Sequence, residues 1–127
     1  MAEDKKTILV VDDEPDIVTF ISTVLEDGGY ATQTAKDGVE ALKLVQEGRP
    51  DLISLDITMP EKSGVRFYRD IKENDEYKDI PVVMVTGVTG EFKKFISTRK
   101  QVPPPEGYLS KPVTKDELLS VVRKLIG

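Results

Sequence analysis

Five short strand-like stretches, the apolar Ile8 to Val11, Leu52 to Leu55 and Ile80 to Val85, the loosely alternating Tyr30 to Ala35 and the short Gly107 to Ser110, alternate with stretches whose apolar residues recur at helical spacing. Regular strand–helix alternation leaves few topologies open. It implies a parallel sheet with helices on both faces and right-handed crossovers. Runs such as Ile8-Leu9-Val10-Val11 have no polar face, which suits strands covered on both sides. The fold class expected is therefore α/β, a (βα)5 doubly wound parallel sheet.

The helical stretches carry their own boundaries. Pro15 stands at a favourable first helical position, with Asp16 in the first turn, where the helix dipole favours an acid. Ile17, Ile21, Val24 and Leu25 then share a face, and Gly28-Gly29 ends the helix. Asp37 and Glu40 resemble a capping box that opens a second helix with Val39, Leu42 and Val45 inward and Gly48 at its end. Ser63-Gly64 precede a third, with Val65, Tyr68 and Ile71 on one face and Asn74-Asp75 closing it. Phe92, Phe95 and Ile96 predict a short fourth helix within Gly90 to Thr98, and Pro103 to Pro105 a stiff loop. Thr114 and Glu117 cap the last helix, which turns Leu118, Val121, Val122 and Leu125 inward. With 127 residues, no repeat and no linker long enough to divide it, the chain reads as one domain, 1–127.

Composition removes several function classes. The chain has no Cys, so disulfides and thiol chemistry are absent, and no His, the commonest general base and transition-metal ligand. Any ion site must be built from oxygen, which favours Mg²⁺, Ca²⁺ or Mn²⁺. A formal net charge of −5 argues against general nucleic-acid binding, which needs a basic field. The longest apolar run near the N-terminus is four residues, Ile8 to Val11, too short for a signal peptide or a membrane span. A cytoplasmic protein is expected, with no nucleic-acid and no membrane partner.

Most of the runs give way to polar residues at their carboxyl ends. Asp12-Asp13 comes after the first, Asp56 after the third, Thr86 after the fourth and Lys111 after the fifth. In a doubly wound sheet of flavodoxin-like order 2-1-3-4-5, these four strands are neighbours and their carboxyl ends share the rim where such sheets bind ligands. Three carboxylates, a hydroxyl and an ammonium then meet, with a formal charge of −2. That charge suits one Mg²⁺, which prefers oxygen ligands and keeps waters, so that it can also hold a phosphate oxygen. The pocket suits phosphoryl transfer, in which the protein mainly positions groups and neutralises charge. Asp56, alone at the end of a central strand, is the candidate nucleophile for an aspartyl phosphate. Taken singly, Asp56 could equally begin a turn.

These residues in this order resemble the receiver domain of bacterial two-component response regulators, as a stand-alone single-domain member would present it. The shared pattern is Asp12-Asp13, Asp56-Ile57-Thr58-Met59-Pro60, Thr86 and Lys111-Pro112, spread over nearly the whole chain from about Thr7 to Ile126. The resemblance implies that Asp56 is the phosphoacceptor. It implies that Asp13 and Asp56 bind Mg²⁺ directly, Asp12 mainly through water, and that the backbone carbonyl of Thr58 completes the protein ligands. Lys111 and Thr86 would hold phosphoryl oxygens, and Tyr108 would be the switch aromatic coupled to Thr86. No enzyme activity on an outside substrate is implied; the domain assists its own phosphorylation and dephosphorylation. The implied partners are a histidine kinase or phosphotransfer protein, a downstream protein, and a second copy in a phosphorylation-dependent homodimer.

Some features depart from the pattern. Gly87 stands where Ala is usual, and 25 residues separate Thr86 from Lys111, with the Pro triplet among them. The fourth helix is therefore expected to be short or displaced, which bears on the usual dimer face. Lys93, Lys94, Arg99 and Lys100 reverse the field of an acidic chain, so Phe92 to Pro105 is expected to be the partner face for an acidic surface. The Lys111-Pro112 bond is expected to be cis. No effector domain comes after Gly127, which fits either a stand-alone receiver or a domain cut from a longer chain. Two other classes compete: an interaction domain of the same fold that is never phosphorylated, and a phosphohydrolase or cofactor binder. The first commonly loses an acid or the lysine, and the second would want a substrate cap or phosphate-cradling loops.

Overall fold

The computed structural model describes residues 5–56, 63–86, 106–110 and 113–127. Five strands, β1 (Thr7–Val11), β2 (Ala31–Ala35), β3 (Leu52–Asp56), β4 (Val82–Thr86) and β5 (Gly107–Ser110), form one sheet in the order β2-β1-β3-β4-β5. Every neighbouring pair is parallel. The described helices are α1 (Pro15–Asp27), α2 (Gly38–Glu47), α3 (Ser63–Lys72) and α4 (Lys115–Ile126).

Alternate residues of each strand face opposite helix layers, because strand side chains have a period of two. Leu9, Val11, Ile53, Leu55, Val82 and Met84 join Ala41 and Val45 of α2 and Phe67, Tyr68 and Ile71 of α3. Ile8, Val10, Leu52, Val83, Val85 and Leu109 join Ile21, Val24 and Leu25 of α1 and Leu118, Leu119 and Val122 of α4. The sheet is thus covered on both faces, which is why β3 is buried at all five positions. β2, at the edge, exposes Gln33 and Thr34.

The helix ends follow their capping residues. Asp37 Oδ1 accepts from the Glu40 N–H at 2.8 Å, while Glu40 Oε1 accepts from the Lys36 N–H rather than from Asp37, at 3.0 Å. Thr114 Oγ1 accepts from the Glu117 N–H at 3.3 Å and donates to Glu117 Oε1 at 2.8 Å. Gly29 adopts φ +98°, a left-handed conformation that only glycine takes without strain, and so turns the chain out of α1.

One expected inward position is wrong. Val39 is 82% exposed. The buried stripe of α2 runs through Gly38, Ala41 and Val45 instead, and small Gly38 and Ala41 let the helix lie close to the sheet. Val39, next along the helix from Gly38, is carried about 100° round to the rim of the α2–α3 groove. The expected fourth helix within Gly90 to Thr98, the partner face Phe92 to Pro105 and the Lys111-Pro112 bond lie outside the described residues.

At the amino end of the sheet, a lysine is buried. The Lys72 side chain is 1% exposed, yet its charge is fully answered. Nζ donates to both Glu106 carboxylate oxygens at 3.0 and 2.9 Å, and to the carbonyls of Lys78 and Ile80 at 3.2 Å. Glu106 Oε1 also accepts from the Val82 N–H at 2.7 Å. One ion pair thereby joins the end of α3 to the starts of β4 and β5.

Candidate functional site

The ladder sets the level of the acids. Val11 lies opposite Leu55 in the β1–β3 pairing, so the next residues, Asp12 and Asp56, leave neighbouring strands side by side. Asp56 is the last residue of β3, lies opposite Val85 and is 1% exposed. Asp12 is 2% exposed. Its N–H still bonds to the Ala35 carbonyl at 3.1 Å, which holds it in line with β1. Its Oδ1 accepts from the Glu14 N–H at 2.9 Å, which fixes the carboxylate against the start of α1.

Asp13 and Glu14 come next, on the exposed side. Glu14 is the N-cap of α1 but makes no side-chain capping bond. One carboxylate oxygen from each of Asp12, Asp13, Glu14 and Asp56 lies within 4.8 Å of all the others. Two unit charges 4 Å apart repel by about 4 kcal/mol at an effective dielectric near 20. The positive end of the α1 dipole offsets only part of that, since it amounts to about half a charge.

The donor set is entirely oxygen, in a chain with no His and no Cys, and it is strongly anionic. Such a set fits a hard divalent cation. Two buried acids give a fixed floor, and two exposed acids leave a side open to water, which suits Mg²⁺ because it keeps several waters.

The other expected site residues divide. Thr86 ends β4, one residue past the partner of Asp56 and opposite Ser110, so its backbone reaches the same rim. Tyr108 lies opposite Met84 on β5 and is 39% exposed, with its phenol pushed up by the burial of the remainder. Thr58 and Lys111 lie outside the described residues, as does Gly87. Asp16 stands in the first turn of α1, as expected. Glu14 stands just before the helix-starting Pro15, and its carboxylate also belongs to the acidic cluster. A run of three acids before a helix-starting proline was the available signal.

Residues 8–123 match the response regulator receiver domain family. The chain belongs to that family. This receiver domain is 33% identical over 122 residues to the polar-differentiation response regulator DivK of Brucella anthropi, covering 96% of this chain and 97% of that one. It is 35% identical over 121 residues to the alkaline phosphatase synthesis transcriptional regulatory protein PhoP of Bacillus subtilis, covering 95% of this chain and 48% of PhoP. The chain thus spans about half of that longer relative. Among solved structures, the chemotaxis response regulator CheY4 of Vibrio cholerae superposes with a TM-score of 0.83 at 35% identity, over 95% of this chain and 98% of that one. The receiver domain of NtrX from Brucella abortus gives 0.80 at 31% identity, over 94% and 97%. The receiver domain is a phosphoacceptor module of two-component signalling, and its function is signalling rather than turnover of an outside substrate. No described helix is long and apolar enough to cross a membrane.

Proposed function

We propose that Asp56 takes the phosphoryl group. The observation that carries this reading is the position of Asp56, buried at the end of β3 with its carboxylate within 4.8 Å of those of Asp12, Asp13 and Glu14. An Asp56 oxygen attacks the phosphorus of a phosphohistidine on a histidine kinase or phosphotransfer protein. A P–O bond forms as the P–N bond breaks, and the electron pair leaves with the imidazole, which takes up a proton. Asp13 and Asp56 would hold Mg²⁺ directly, Asp12 mainly through water, and the Thr58 backbone carbonyl would complete the set. When bound, the ion neutralises charge on the acids and on the phosphoryl oxygens. Lys111 and Thr86 hold phosphoryl oxygens, and the level of Thr86 beside Asp56 in the β3–β4 ladder supports its part. The same groups then assist hydrolysis of the aspartyl phosphate.

Output depends on Thr86. Drawn toward the phosphoryl group, it leaves room for Tyr108 to turn inward and shifts the population of the β5 surface. A downstream protein reads that surface, and a second copy of the chain pairs there on phosphorylation. Residues 1–127 act as one receiver domain in the cytoplasm. The test is beryllofluoride binding, observed by fluorine NMR, with and without Mg²⁺. The native protein should show a bound fluoride signal only with Mg²⁺, and Asp56→Asn should show none. A bound signal in the variant would remove Asp56 from the assignment.

A further inference from the structure

The Lys72–Glu106 pair lies at the opposite end of the sheet from the acidic cluster, and the phosphoacceptor chemistry does not use it. Its surroundings point toward Tyr108. Gly107 and Leu109 face α4 and the α1 layer: a Cβ on Gly107 would meet Val121 at 3.0 Å, and Leu109 packs with Val83 and Val85. Strand alternation therefore turns Glu106 and Tyr108 to the other face, the one covered by α3. Tyr68 occupies that face, one helical turn before Lys72, and is buried to 1% exposure. The Lys72 ammonium lies 6.0 Å from the centre of the Tyr68 ring, within cation–π range. Burial, then Glu106, then Tyr108 push the Tyr68 phenol well up, so these groups feel one another. The ion pair, Tyr68 and Tyr108 thus share one face of the sheet, with the Lys72 ammonium beside the Tyr68 ring.

We propose that Lys72 and Glu106 form a latch that positions the Tyr108 ring through Tyr68, so that Lys72 is a positioning residue for the switch. The tuning of output rests on the reading of Tyr108 as the switch residue; the latch itself does not. Lys72 has one stable place, because its charge needs Glu106 and the two carbonyls together. Glu106 in turn holds the Val82 N–H, while its own N–H donates to the Val82 carbonyl at 3.0 Å. The start of β5 is therefore pinned to β4 and α3, and Tyr108 stands two residues further along. Releasing the pair frees Glu106 toward water, removes the cation beside Tyr68, and changes the charge on the sheet face that Tyr108 shares. A ligand at Asp56 that favours one Tyr108 position binds more tightly as that position gains population, by at most the factor of the population change.

The test is fluorine NMR of the full chain labelled with 3-fluorotyrosine, which reports four sites, Tyr30, Tyr68, Tyr77 and Tyr108. Tyr108→Phe and Tyr68→Phe assign their resonances. Lys72→Met keeps the length of the side chain without its charge. Glu106→Gln keeps an acceptor for the Val82 N–H and breaks the pair from the other side. Without phosphoryl donor or metal, both variants should move or broaden the Tyr108 resonance, while Tyr30, in the core of the other sheet face, keeps its native position. Beryllofluoride affinity with Mg²⁺ should change in the direction of the Tyr108 population and by no more than its factor, about fivefold or more for a functional coupling. A Tyr108 resonance unmoved in both variants, or a Tyr30 shift as large as that of Tyr108, overturns the latch. If Tyr108 of the native protein does not respond to Mg²⁺ and beryllofluoride, the switch reading fails, and the tuning with it. That result is distinct, because the latch is read before either ligand is added.

Discussion

Val11 of β1 lies opposite Leu55 of β3, and this single register places Asp12 beside Asp56. A slip of one residue would turn one of the two acids to the other face of the sheet. The acidic cluster is therefore a product of the ladder, which is held by the apolar residues beneath it. Its acids repel one another, so the protein should gain stability from a cation that binds only the native state. Mg²⁺ at about 100 times its dissociation constant should stabilise by about 2.7 kcal/mol and raise the melting temperature. Asp13→Asn should abolish that gain in thermal unfolding with and without Mg²⁺. An unchanged Mg²⁺ response in the variant would contradict the cluster as a cation site.

Glu14 belongs to the same cluster but also ends the loop as the N-cap of α1. Its side chain makes no capping bond, so Glu14→Gln should leave the helix nearly as stable, within about 0.5 kcal/mol. The same change should weaken Mg²⁺ binding, by less than Asp13→Asn does, because a neighbouring negative charge is lost rather than a proposed direct ligand. Calorimetric titration of both variants with MgCl₂ checks the order. Equal affinity in Glu14→Gln and the native protein would show that its charge lies too far from the ion to matter.

The Lys72–Glu106 pair should respond unequally to loss of either partner. Lys72 is buried, whereas the Glu106 side chain is 36% exposed and can turn to water. Glu106→Ala leaves an uncompensated buried charge, a loss of about 3–5 kcal/mol. Lys72→Met leaves a carboxylate that can hydrate, so its cost should be distinctly smaller. Urea unfolding of the two variants decides the order, and equal losses would mean that Glu106 is held as firmly as Lys72.

Tyr68 links stability to alkaline pH. Its folded pKa lies above the ordinary tyrosine value, chiefly through burial and then through Glu106 and Tyr108. The neutral phenol is therefore the form that the fold favours. Its contribution is fully present below pH about 10, the unfolded value, and is lost as pH rises above that toward the folded value. Tyr68→Phe should flatten the fall in stability above pH about 10 relative to the native protein. Denaturant midpoints measured between pH about 8 and 11 test this, and parallel curves would assign the alkaline loss to other groups.

Much of this was legible in the chain. The apolar runs marked the strand positions because a strand covered on both faces tolerates few polar residues, and β5 begins and ends where expected, at Gly107 and Ser110. The Asp37 and Thr114 caps were readable because each side chain bonds to an amide three residues on. Val39 misled, since its apolar side chain suggested an inward position, while the small residues Gly38 and Ala41 set the depth of α2. Lys72 was not legible as a buried cation, although it lies beside Tyr68 and Ile71 on the inward face of α3. Its partner, Glu106, is 34 residues away in sequence, and nothing local marks the pair. Glu14 showed its place before the helix, but the fold was needed to bring its carboxylate to Asp56.

The most direct measurement is intact-protein mass spectrometry after incubation with acetyl phosphate, with Mg²⁺ and with excess chelator, for the native chain and Asp56→Asn. The account predicts a single added phosphoryl group on the native protein only when Mg²⁺ is present, and none on the variant. Equal phosphorylation of Asp56→Asn, or undiminished phosphorylation of the native protein in chelator, would contradict it.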